Sequence, residues 1–225
     1  MIIYMGDTHG QSTAFRKLRA NNLVTPDDII IHVGDFGIDW RTSDVWESKN
    51  LPFHDYPCPV YFIDGNHEDF RFIREWSKTE ITQVASKLFY VPRGYVGEFQ
   101  DQRIGFLGGA FSIDNYWRQP EMDWFPHDEK VSDDNVKTLL FNVGDTPLDV
   151  LVTHSPPASV IRNNFAPLDL DMWKLRPNWV DTCSEKIQHV NETINPTLNV
   201  CGHMHRSVTE GNTRILNIDE VWSPQ

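Results

Sequence analysis

Short apolar, β-branched runs alternate with stretches whose apolar residues recur at helical spacing. Ile2–Met5 reads as a buried strand, and the segment from Ser12 to Asn22 reads as a helix that Ser12 can cap. Residues 28–33 (DIIIHV) form a second strand, with a polar helix expected around 41–50. Residues 59–63 (PVYFI) form a third, leading into a helix in which Phe70, Ile73 and Trp76 share one face. This βαβα order predicts a largely parallel sheet with helices packed on it. Two antiparallel strands follow, 95–100 and 103–111, joined through Asp101 and Gln102. A helix capped by Ser132, a buried strand at 148–153, an irregular stretch from 155 to 176 and a helix near 179–192 come next. Strands at 197–201, 207–211 and 213–218 close the chain. The class predicted is a mixed α/β sandwich.

Composition narrows the setting more than the chemistry. The 225 residues suit a single domain spanning 1–225, with a pocket-forming or lid insertion expected around 110–130. No apolar stretch reaches the roughly 18 residues of a membrane helix. The N-terminal MIIYMGDTHG lacks the basic start of a signal peptide, and Cys58, Cys183 and Cys201 are odd in number and widely spaced. Reduced thiols and a cytoplasmic location are therefore expected, with no membrane partner. A formal net charge of −12 disfavours a broad electrostatic grip on nucleic acid. A phosphate ester remains an acceptable substrate, because bound divalent cations can reverse the local field.

Five apolar runs end in clusters of metal-ligand residue types. They are Gly6-Asp7-Thr8-His9-Gly10, Gly34-Asp35-Phe36-Gly37, Asp64-Gly65-Asn66-His67-Glu68, His154-Ser155-Pro156-Pro157 and Gly202-His203-Met204-His205. The carboxyl ends of strands in an open α/β sheet line one crevice, so the five should converge. On an extended strand His203 and His205 would face the same way, with their bases ~6–7 Å apart. Taken singly, each cluster could be a turn or a core histidine. Pooled, they give two Asp, one Asn and four or five His without a thiolate, an oxygen and nitrogen set suited to two borderline divalent ions.

In order and spacing these motifs resemble the calcineurin-like metallophosphoesterases, whose pattern D-x-H, G-D, G-N-H, H, G-H-x-H is matched by Asp7-His9, Gly34-Asp35, Gly65-Asn66-His67, His154 and Gly202-His203-Met204-His205. The resemblance implies a four-layer αββα sandwich of two mixed β-sheets flanked by helices. It implies two divalent cations, Mn²⁺ foremost, with Fe, Zn, Ni or Mg as substitutes. One would be held by Asp7, His9, Asp35 and His205, the other by Asp35, Asn66, His154 and His203. A hydroxide held between the ions would attack phosphorus, with His67 stabilising the transition state or protonating the leaving oxygen. Asp39 and Asp64 are the carboxylates considered for orienting His67.

The phosphoprotein phosphatases of the family carry G-D-x-V-D-R-G and an arginine before G-N-H. Here Ile38, Asp39 and Trp40 follow Gly37, and Asp64 precedes Gly65. Hydrolysis of a phosphodiester or nucleotide phosphoester, with a nucleotide or nucleic acid as partner, is therefore expected ahead of a phosphomonoesterase or protein phosphatase. A non-catalytic protein-binding scaffold ranks last. For the substrate, Arg118 is a candidate phosphate clamp, and Tyr116 and Trp117 are candidates for stacking on a base or closing a lid. His32, His54, His127 and His189 are read as structural or surface residues. The sequence leaves the oligomeric state open.

Overall fold

A computed structural model describes residues 1–38, 53 and 56–224. The helix expected around 41–50, together with Asp39, Trp40 and His54, lies outside the described residues.

Two six-stranded mixed sheets stack face to face. The first comprises β1 (Ile2–Met5), β2 (Ile29–His32), β3 (Val60–Phe62), β4 (Thr82–Ala85), β5 (Leu88–Tyr90) and β12 (Val221–Trp222), ordered β12-β1-β2-β3-β5-β4. Its four central strands are parallel, and β12 and β4 are antiparallel edges. The second comprises β6 (Val96–Phe99), β7 (Gln102–Leu107), β8 (Val150–Thr153), β9 (Leu198–Cys201), β10 (Val208–Glu210) and β11 (Thr213–Ile215), ordered β10-β11-β9-β8-β7-β6. It has the same plan, with four parallel strands between antiparallel edges.

The central runs carry apolar residues on both faces because both faces of each sheet are covered. In β1, Ile2 and Tyr4 point into the layer between the sheets, where they join Ile31, Phe106, Val152 and Val200. Ile3 and Met5 point the other way, against Phe15 and Leu18 of α1 (Thr13–Ala20) and Phe70 of α2 (Phe70–Ile73). Behind the second sheet, Leu107 and Leu151 pack on Val136 and Leu139 of α3 (Asp133–Val143) and on Ile187 and Val190 of α5 (Thr182–Ile194). The result is the four-layer sandwich.

Several local expectations change. Ser12 stands at the N-cap of α1 without making a side-chain cap bond. The helix expected to include Trp76 stops at Ile73, although Trp76 still packs on the core. The β6–β7 turn falls on Gln100 and Asp101, both at positive φ, one residue earlier than read. The stretch from 155 to 176 is not wholly irregular, because α4 (Ala158–Asn164) starts directly after Pro156-Pro157. Ser132 caps α3 as expected and forms a full capping box with Asn135. Among the described residues no helix is long and apolar enough to cross a membrane.

Candidate metal centre

The loops leaving β1, β2, β3, β8 and β9 meet at one end of the sandwich. Asp7, His9, Asp35 and His205 each present one ligand atom within 4.8 Å of the others, and Asp35, His154 and His203 form a second such group sharing Asp35. Asn66 joins the second group, its Oδ1 3.2 Å from His154 Nε2. His67 borders the first, with its ring centroid 5.3 Å from that of His9 and its backbone N–H donating to Asp35 Oδ1 at 2.8 Å.

These contacts depend on unusual backbone. His9, Asp35, His203 and His205 all have positive φ, at 46°, 51°, 68° and 50°. Non-glycine residues in this region cluster at functional sites, where the surrounding fold holds the strain. His203 and His205 are therefore not an alternating pair on an extended strand. β9 ends at Cys201, and a tight turn in which Met204 N–H donates to the Gly202 carbonyl sends each imidazole to a different group. Two glycines make room for the ligands. A Cβ on Gly65 would collide with Asp35 Oδ1, and one on Gly202 with Asp7 Oδ1. Gly202→Ala should displace the Asp7 carboxylate, cost about 1–3 kcal/mol of stability and reduce bound manganese, measured by thermal melting and elemental analysis.

Burial works against charge on Asp35, yet His154, His67 and His9 hold its carboxyl well below the usual range. Burial also opposes the His154 cation, but Asp35 and Asp7 push that imidazole up to about 9. His203 is driven down to about 3 by burial and by His154. Burial lowers His67, with Asp35 and Asp114 acting in the opposite direction. His154 Nδ1 bonds the Val33 carbonyl at 2.9 Å, which leaves Nε2 facing the cluster. Asp35 Oδ2 is buried without a hydrogen-bond partner. An orphaned carboxylate oxygen among converging imidazoles is what a cation would satisfy, so the donor set fits divalent metal.

Glu68 anchors the loop that carries Asp35. Its oxygens accept the backbone N–H groups of Phe36 (2.7 Å), Gly37 (3.1 Å) and Ile38 (2.8 Å). Burial and the nearby Asp35 push its carboxyl up to about 8, against those donors. No sequence signal pointed to this anchor, because its partners are backbone groups 30 to 32 positions away.

The remaining candidates are distributed unevenly. Asp64 does not orient His67; it accepts from Arg93 Nε at 2.8 Å and from the Tyr90 hydroxyl at 2.9 Å. Asp35 and, more weakly, Asp114 are the carboxylates that act on His67. Arg118 is turned to protein acceptors. Its side chain is 8% exposed, Nη1 donates to Ser112 Oγ at 2.7 Å, and Nη2 reaches the Asn66 carbonyl at 3.4 Å and the Asp123 carbonyl. Tyr116 and Trp117, on a 3-10 turn at Asn115–Trp117, are exposed. Their rings lie 4.2 Å apart, with Trp173 5.4 Å from Trp117 and Lys174 Nζ 4.4 Å from the Tyr116 ring centre. His32 is buried in β2 against Thr8, while His127 and His189 are at least partly exposed.

The family model of the calcineurin-like phosphoesterases matches residues 1–207. No curated protein matches the chain. Among solved structures, one superposes with a TM-score of 0.56 at 12% identity, covering 96% of this chain and 89% of its own. TT1561 of Thermus thermophilus superposes with a TM-score of 0.51 at 11% identity, covering 96% and 88%. At such identities the likeness extends to the fold.

Proposed function

The chain belongs to the calcineurin-like phosphoesterase family of metal-dependent hydrolases, and from that premise we propose that it cleaves a phosphodiester or nucleotide phosphoester at a pair of divalent cations, manganese by preference. The observation that carries this reading is the convergence of two ligand groups on one shared carboxylate, Asp35. Asp7, His9, Asp35 and His205 would hold one ion, and Asp35, Asn66, His154 and His203 the other. Bound there, the pair supplies Lewis-acid polarisation of the phosphoryl oxygens and acidification of water. Asp35 serves as the bridge because a carboxylate offers two oxygens. The His67 backbone N–H bond to Asp35 fixes the main chain beside that bridge, and the His67 ring is the group assigned to hold or give the proton at the leaving oxygen. A complete ligand set with His67 beside it favours an enzyme over a scaffold.

The corner formed by Tyr116, Trp117, Trp173 and Lys174 supports a nucleotide substrate. Trp117 directly precedes Arg118, which contacts the Asn66 carbonyl, and this adjacency supports assigning the exposed rings to the substrate side of the centre. An aromatic face accepts any base, at ~1–3 kcal/mol per stacked base. Manganese-loaded protein is expected to hydrolyse bis(4-nitrophenyl) phosphate faster than the monoester. Trp117→Ala should raise KM for a dinucleotide by an amount equivalent to ~1–3 kcal/mol, with kcat little changed. A strong preference for the monoester would overturn the diester reading.

A further inference from the structure

Asn66 is the neutral member of the proposed ligand set. Carboxylates draw a cation by charge, whereas an amide serves only if its oxygen, and not its NH₂, faces the ion. What fixes that choice lies behind the centre. Asn66 Nδ2 donates to Ser112 Oγ at 3.0 Å, which turns Oδ1 toward His154. Ser112 Oγ also accepts from Arg118 Nη1 at 2.7 Å and donates its proton to Glu129 Oε2 at 2.9 Å. The other oxygen of Glu129 accepts from Trp124 Nε1 at 2.9 Å. Ser112, Glu129 and Asn66 are almost wholly buried, at 1%, 0% and 2% exposure. The hydroxyl is thereby saturated. With its one proton committed to a carboxylate, its lone pairs face Asn66 and Arg118.

We infer that Ser112 and Glu129, braced by Arg118, are positioning residues that orient the Asn66 amide and so set the affinity of one of the two cation sites selectively. The inference rests on Asn66 being a ligand of the second ion. It assigns the 110–130 segment a task inside the fold, as a support standing behind the metal centre. A bond needed merely to hold the loop would not discriminate between the two sites, since Asp7, His9 and His205 make none of these contacts.

The test is a manganese titration of the metal-free full chain by calorimetry, with electron paramagnetic resonance to detect the spin-coupled ion pair. In Ser112→Ala one of the two ions should keep its wild-type affinity, while the other weakens by ~10–100-fold and the coupled signal disappears at stoichiometric manganese. Glu129→Gln keeps the shape of the side chain but loses one of its two acceptor oxygens, so it should show the same selective loss to a smaller degree. If Ser112→Ala fails to fold, Glu129→Gln decides alone. Equal weakening of both ions, or no weakening, in a folded variant overturns the inference and leaves the two-ion reading of the centre intact. A wild-type chain that binds no pair overturns that reading first, and is distinguished by the control titration.

Discussion

Asp35→Asn is expected to dismantle both cation sites at once. The substitution leaves one side-chain oxygen where two groups of ligands now share a carboxylate, and removes the negative charge that both groups have in common. Losing a supporting partner costs a metal site ~10–100-fold; losing the shared charged ligand costs more, so kcat/KM should fall by on the order of 10³-fold or more. Manganese content measured on the desalted protein should drop from two ions toward none. The buried amide can still accept the His67 N–H, so the fold should survive, as thermal melting would verify. Two ions retained with normal turnover would refute the bridging role.

His67→Ala should separate chemistry from metal binding. The ring stands 5.3 Å from His9 yet supplies no atom to either ligand group. Proton transfer by a positioned side chain is worth ~10²–10⁴ in rate, and kcat on a diester should fall by that factor while manganese stoichiometry is preserved. The loss should be largest for esters with basic leaving groups, which most need the proton, and smallest for 4-nitrophenolate. An unchanged kcat for an alkyl leaving group would remove His67 from the reaction. Paired with Asp35→Asn, the comparison divides the site into groups that hold the cations and a group that acts beside them.

Much of this was legible in the chain because its signals are local. Runs such as Ile29–His32 are apolar on both faces, and only a sheet covered on both sides buries them. Glycine beside a carboxylate or an amide marks places where the backbone must pass a ligand closely, as at Gly65 and Gly202. Other features carry no local signal. Strands as short as β4, β5 and β12 are fixed by the partners they pair with, and the left-handed turns at His203 and His205 replace the extended geometry that their spacing suggests. The protein acceptors of Arg118, a candidate phosphate clamp by residue type, are likewise set by the fold, because sequence shows a guanidinium but not the carbonyls it bonds.

Hydrophobic period and residue type were enough to establish the five ligand-bearing strand ends and the identity of the residues able to meet there, since both are properties of neighbours in the chain. Folding in three dimensions settled the rest: which ligands share a group, that Glu68 locks the Asp35 loop, and that Ser112 and Glu129 stand behind Asn66. Those bonds join residues 17 to 46 positions apart, some of them through backbone groups that nearly every residue possesses, and nothing but the folded path brings them within bonding distance.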